Sequence, residues 1–397
     1  MPLLRCALLT LSLLVPCAAA QTTEPQRIDA EMRRLMGAAR VPGLALAVIE
    51  DGKVSYSQAY GYANLAQQQP LRTDTIMYAA SLTKAVFAYT VMQLVDEGRL
   101  SLDAPLPQLL KKPLPEYPHY ADLKDDPRWR QLTPRMLLSH TSGLLNYRGI
   151  NDNNKLDFKF PPGTRYVYSG EGLNILQLVV EEITGTPLQA LMQQRVFDRF
   201  GMRDTSMVWR SDFDSHVTTH YAEDGTAIAH KHRSTARAAG SMDTTLNDYA
   251  AFMAGVLRGD GLSQKAQQEM LSPQMAIVSP QQFPSHWPGE TTLWRGIALS
   301  IGLGWVLYQS PLGPAFFKEG HDDGTNNFAL GFARQRNGIV MLSNSSNAER
   351  MFFPAVEYIY GTTCLPWFWM SYIPYDKPEL MGPQARAHPV LSAGCGP

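Results

Sequence analysis

The sequence predicts an α+β fold, an antiparallel sheet flanked by helices with an all-helical segment inserted into it. Three observations carry this. Strand patterns stand near both ends of the chain and are scarce in its middle. That middle, about 102–235, is rich in Pro, Asp and Leu and has helical patterns. Between the first strands and this insertion lies a helix whose stretch from Ala85 to Val95 is apolar nearly all round, interrupted by Thr90 and Gln93. A helix of that kind is a buried one.

The elements follow in order. Residues 24–40 read as a helix. Leu44 to Ile49 is apolar and strand-like, Asp51-Gly52 supplies a hairpin turn, and the return strand begins at Lys53. The buried helix starts at Ser81 and is stopped by Gly98. Within the insertion, "TPRMLLSHTSGL" and "EGLNILQLVVEEITG" are the clearest helices. After "RAAGSM" another helix begins, with Thr244 or Thr245 as its N-cap. Strands return in "GLGWVLYQS", "NNFALGFARQ" and "GIVMLSNSS", the last two joined through Asn337-Gly338, and a helix in "AERMFFPAVEYIYG" follows. There is no internal repeat and no low-complexity tract.

Composition bounds the function. The 397 residues are 45% hydrophobic and 18% charged, with a formal net charge of -1. Nothing in that balance favours nucleic acid as a partner. The N-terminus has Arg5, an apolar run over 7–15 that is too short to span a bilayer, and a small-residue site at Ala18-Ala19-Ala20. This is the pattern of a signal peptide over 1–20, with a mature chain from Gln21 and a periplasmic or secreted location. Pro16 fits poorly with lipid attachment at Cys17. Cleavage would leave Cys364 and Cys395, an even pair in an exported protein. A disulfide is expected to staple the tail, 366–397, to the body, 21–365. No other segment is long and apolar enough to cross a membrane.

The buried helix begins with two polar groups. Ser81 and Lys84 are spaced i, i+3 and so share one helix face. A helix N-terminus carries free amides and partial positive charge, which favour an alkoxide or oxyanion. Burial lowers a lysine pKa and lets the amine exchange protons near neutrality. Nucleophile plus activating amine is one reading. An N-cap Ser81 and a surface Lys84 is the other, since S-x-x-K arises readily by chance. The apolar helix that follows weighs against an exposed lysine. Tyr168, in a Pro/Gly-flanked loop, is a packed aromatic or, beside a lysine, an acid–base group.

"SLTK", "LLSHTSGL", "PGTRYVYSGEG", "AAGSMDTTLNDYAAF" and "GHDDGTNNF" resemble, in order and spacing, the motifs of the beta-lactamase-related serine hydrolases. This family includes class C beta-lactamases, DD-peptidases, D-aminopeptidases and family VIII esterases. The resemblance runs over about 28–361. It implies a beta-lactamase/transpeptidase-like fold, Ser81 as nucleophile, Lys84 as its partner and Tyr168 as proton shuttle. The family's Y-x-N reads here Tyr168-Ser169-Gly170, which puts in doubt the amide that the Asn would offer an acylamino substrate.

The third family motif, K-T-G or H-x-G on the strand edging the site, has two registers here. Lys318-Glu319-Gly320 fits K-x-G. His321-Asp322-Asp323-Gly324 fits H-x-G-G except at its third place, and Phe328 falls seven residues after the His as the pattern requires. The His321 register is therefore favoured. In it His321 faces substrate and the Gly324 amide joins the Ser81 amide as oxyanion hole. Asp322 and Asp323 would then repel a substrate carboxylate.

Other candidates read more simply. His216, His220, His230 and His232 crowd one stretch with H-x3-H and H-x-H spacing. No carboxylate or Cys spacing completes a zinc site, and the proposed chemistry needs no metal or cofactor. His140 is placed by the resemblance as a buttress of the helical segment. "LPWFWM" is expected to pack on the body beside Cys364. The expected function is an exported hydrolase of small esters or amides acting through an acyl-enzyme. A cell-wall DD-carboxypeptidase or D-aminopeptidase is the first alternative, and a non-catalytic wall-binding protein the second.

Overall fold

The computed structural model describes residues 24–283, 289–381, 390–392, 394 and 395. The signal peptide expected over 1–20 and its cleavage site lie outside them. Helix α1 (Glu24–Ala39) leads into strands β1 (Gly43–Glu50) and β2 (Lys53–Asn64), and the buried helix α2 is Leu82–Asp96. The insertion contains α3 (Gly170–Thr184), and α4 (Leu246–Arg258) follows it. Four strands follow: β3 (Val306–Ser310), β4 (Gly313–Asp322), β5 (Thr325–Phe332) and β6 (Asn337–Ser343). Helix α5 (Glu349–Tyr360) precedes the tail.

Among the described residues the main sheet has nine strands. The order is Gln69–Pro70, β2, β1, β6, β5, β4, β3, Ser300–Ile301 and Met275–Ala276. Every pairing is antiparallel. β1 shows why the sheet sits in the middle of the molecule. Its side chains alternate faces, and both sets are apolar. Ala45, Ala47 and Ile49 join one apolar cluster with α2, α4 and the insertion. Leu44 and Leu46 join the other with α1, α5, Leu365 and the tail residues Trp367, Phe368 and Trp369.

The fold thus agrees with the α+β expectation, with one long strand, β4, and three two-residue strands added. β4 had no strand signal of its own, because Gly313, Pro314, Lys318, Glu319 and His321 interrupt its apolar pattern. The insertion is helical, with short α and 3₁₀ turns between α2 and α3, and ends in a small hairpin pairing His220–Tyr221 with Ala227–Ile228. Thr245 caps α4 by accepting from the Asp248 N–H, at 3.2 Å. Cys364 and Cys395 are bridged, with Cα atoms 5.5 Å apart. No helix among the described residues is long and apolar enough to cross a membrane.

Candidate active site

Every residue of α2 from Leu82 to Leu94 is buried. The chain enters this helix through Ala80, which has a positive φ of 48°. That conformation is unfavourable for a residue with a Cβ and is held only where the surroundings enforce it. It turns the backbone sharply, so Ser81 sits at the head of α2 on the floor of a cleft of about 840 Å³. Lys84, one turn on, is buried. Its Nζ lies 2.9 Å from Ser81 Oγ and donates to the Ala239 carbonyl at 2.5 Å. Burial, and then the nearby Lys318 ammonium, pull the Lys84 pKa well below the usual lysine range, with Glu319 acting in the opposite direction.

Tyr168 comes from the loop before α3 and reaches the same point. His140 holds this loop: its carbonyl accepts the Val167 N–H at 2.7 Å and its Nδ1 accepts the Ser169 N–H at 3.2 Å. The His140 ring also stacks on Tyr168, with centroids 4.6 Å apart. The histidine of "SHTSGL" therefore braces the site itself as well as the insertion. Tyr168 lines the same cleft as Ser81 and Lys84. Burial, then Glu319, push its pKa well above the ordinary phenol value, while the nearby Ser81 hydroxyl works against them. Two lysine amino groups lie over its ring, Lys84 Nζ at 5.0 Å and Lys318 Nζ at 4.9 Å from the centroid.

Lys318 was not among the residues favoured from sequence. Its Nζ donates to the Tyr168 hydroxyl at 3.2 Å and to Glu319 Oε1 at 2.7 Å. Gln282 Nε2 donates to the same carboxylate oxygen at 2.6 Å. Gly320, next along β4, presses against the start of α2. A Cβ there would lie 2.4 Å from the Ala79 carbonyl oxygen and 3.2 Å from the Leu82 nitrogen. Only a residue without a side chain allows this approach.

The structure therefore puts the K-x-G register, Lys318-Glu319-Gly320, at the site and corrects two expectations. The His321 imidazole lines the cleft mouth but does not meet Ser81 or Tyr168 through any described hydrogen bond. Its Nδ1 pairs with Asn326 Oδ1 at 2.6 Å and Glu349 at 3.5 Å, and the Glu349 bond raises its pKa. The Gly324 amide is not an oxyanion donor: it donates to Ser346 Oγ at 2.8 Å, in the β4–β5 turn, where its φ of 74° suits glycine. The seven-residue spacing to Phe328 arises for another reason. Phe328 is a fully buried core residue on β5, packed by Phe317 and Phe352. Asp323 is exposed at the mouth, and its N–H donates to Asp322 Oδ1 at 3.0 Å. The literal K-x-G was the signal that would have found Lys318.

The four crowded histidines separate. His220 and His230 share a bond of 2.8 Å, and His230 pairs with Asp243 at 3.0 Å. His232 stacks on Trp209, with ring centroids 4.0 Å apart, and His216 pairs with Ser215 at 3.0 Å. Among the described residues no group of three or more His, Cys, Asp or Glu is arranged to hold a metal ion.

A serine and a lysine at the head of a buried helix, roofed by a tyrosine, on an antiparallel sheet with a helical insertion, define a class of serine hydrolases. The chain belongs to the beta-lactamase family, whose model matches residues 28–359. It is similar to Esterase EstB of Burkholderia gladioli, 34% identical over 209 residues, which cover 46% of this chain and 51% of the esterase. It is also similar to Penicillin-binding protein 4* of Bacillus subtilis, 25% identical over 83% of this chain and 72% of that protein. Among solved structures, the octameric penicillin-binding protein homologue of Pyrococcus abyssi shares the fold. The TM-score is 0.70 at 20% identity, over 86% of this chain and 78% of that one.

Proposed function

We propose that the protein is an exported hydrolase of neutral esters or amides that works through an acyl-enzyme on Ser81. The observation that carries this is the Ser81–Lys84 contact of 2.9 Å on the cleft floor, with Tyr168 lining the same cleft. A neutral Lys84 amine that donates to the Ala239 carbonyl keeps its lone pair for the Ser81 proton. Tyr168, held as a phenol, gives its own proton to the leaving group as it receives the one Lys84 took. In deacylation water adds to the acyl carbon, its proton passes through Tyr168 to Lys84, and Ser81 Oγ leaves with the proton that Lys84 returns. Lys318 anchors the phenol from its far side.

The oxyanion needs two amides. Ser81 supplies one. Beyond Phe317, β4 has no pairing with β3, so its outer edge opens on the cleft. Asp322 and Thr325 close a two-residue turn. Alternate residues of an antiparallel strand direct their N–H groups away from the partner, which gives the second amide to His321, the residue after Gly320. His321 thus serves by its backbone. Glu319, Asp322, Asp323 and Glu349 line the same cleft and disfavour an anionic acyl donor.

A panel of p-nitrophenyl esters, nitrocefin and D-aminoacyl anilides, with Ser81→Ala as control, tests the reading. Short esters are expected to be cleaved well and nitrocefin poorly. Asp323→Gly is expected to raise nitrocefin turnover relative to ester turnover about tenfold at low salt, and less as salt screens the charge. Anilide or nitrocefin hydrolysis well above ester hydrolysis would replace the esterase reading with a peptidase or lactamase one.

A further inference from the structure

Gly170 stands where the family has an asparagine, and the structure shows what fills that space. A Cβ at Gly170 would lie 2.7 Å from both the backbone oxygen and Oδ1 of Asn146. Asn146 follows "HTSGLL" in the insertion, 24 residues earlier in the chain. Its Oδ1 accepts the Gly170 N–H at 3.0 Å, and its backbone carbonyl accepts the Glu171 N–H at 3.1 Å. These bonds fix which way the amide points. An N–H requires an acceptor, so Oδ1 faces Gly170 and Nδ2 faces away from it. Among the described residues Asn146 Nδ2 has no hydrogen-bond acceptor, and Asn146 is half-buried in the cleft wall with Ser81, Lys84 and Tyr168.

Asn174 repeats the arrangement one turn into α3. Its Oδ1 accepts the N–H of Ala239 at 3.3 Å, the residue whose carbonyl accepts from Lys84. Asn174 also lines the cleft. Glu171 and Arg237 share this end. Their opposite charges suit a neutral acceptor there better than a carboxylate.

We infer that Asn146, from a different segment of the chain, supplies the side-chain amide donor that Gly170 cannot. It binds a carbonyl oxygen in the acyl part of the substrate. The preferred acyl donors are then acylamino esters or amides rather than plain alkanoyl ones. This rests on the acyl-enzyme reading above.

The test compares two esters of one shape, p-nitrophenyl N-acetylglycinate and p-nitrophenyl pentanoate, on wild type and Asn146→Asp. The substitution keeps the acceptor towards Gly170 and removes the donor. Wild type is expected to favour the acetylglycinate. In Asn146→Asp the ratio of the two kcat/KM values is expected to fall about tenfold, the scale of one lost hydrogen bond. A ratio unchanged within about twofold, whatever the absolute rates, would make Asn146 a brace for α3 only and overturn the inference. If the variant does not fold, the wild-type ratio alone decides: a preference for the pentanoate overturns it. Wild type that cleaves neither ester overturns the acyl-enzyme reading itself, a result distinct from an unchanged ratio.

Discussion

Three ionisable side chains surround Tyr168, and their balance sets the chemistry. Lys84 and Lys318 are both buried, and only Glu319 pairs with one of them. The pair on Lys318 offsets the burial that lowers its pKa. Lys84, with no carboxylate in contact among the described residues, is the amine that gives up its proton. Two predictions belong to this scale. Lys84→Ala and Tyr168→Phe are each expected to lower kcat on the order of a thousandfold, and the double variant little more, because the two groups act as one unit with Ser81. Near-wild-type turnover in Tyr168→Phe would remove it from the mechanism. Lys318→Met removes a charge that lowers the Lys84 pKa, so that pKa rises. The acid limb of the kcat/KM profile, which needs neutral Lys84, is expected to move to higher pH. An unmoved limb would show that Lys318 does not act on Lys84.

At the scale of elements, the site is a meeting of α2, β4 and the loop before α3. Gly320 is the tightest point between the first two. Gly320→Ala is expected to force β4 off α2 at a cost of about 1–3 kcal/mol, as overpacking does. It should lower both the melting temperature and kcat/KM. A variant with wild-type stability would show that the strand has room to give.

Much of this meeting was legible in the sequence. The apolar run of α2 announced a buried helix, and the i, i+3 spacing placed Ser81 and Lys84 together. β4 was not legible, because its buried charges are paired across distance in the chain. Lys318 and Glu319 satisfy each other, Tyr168 and Gln282, and pattern reading takes such residues for surface. The register error had the same origin, since Phe328 matched a motif spacing while serving the core. Asn146 was invisible for a further reason: its role depends on a missing side chain at Gly170.

Over the whole molecule, two apolar clusters sandwich the sheet, and several ionisable groups are buried around it. His220 is one. Burial holds its pKa down to about 3 from 6.5. Below pH 6.5 the unfolded chain takes up a proton that the folded chain refuses, so stability is present at neutral pH and is lost as pH falls towards 3. The slope approaches ~1.4 kcal/mol per pH unit. His140, also lowered mainly by burial, adds in the same direction. Melting temperatures at pH 7 and pH 5 are expected to fall more steeply in wild type than in His220→Gln. Equal slopes would mean that His220 titrates normally in the folded protein.

The claim on which the rest depends is that Ser81 is the nucleophile. Reaction with a fluorophosphonate, followed by intact-mass spectrometry and peptide mapping, tests it most directly. One adduct per chain, on the peptide containing Ser81 and absent from Ser81→Ala, is the expected result. Labelling that persists in Ser81→Ala, or that maps to another residue, would contradict the account.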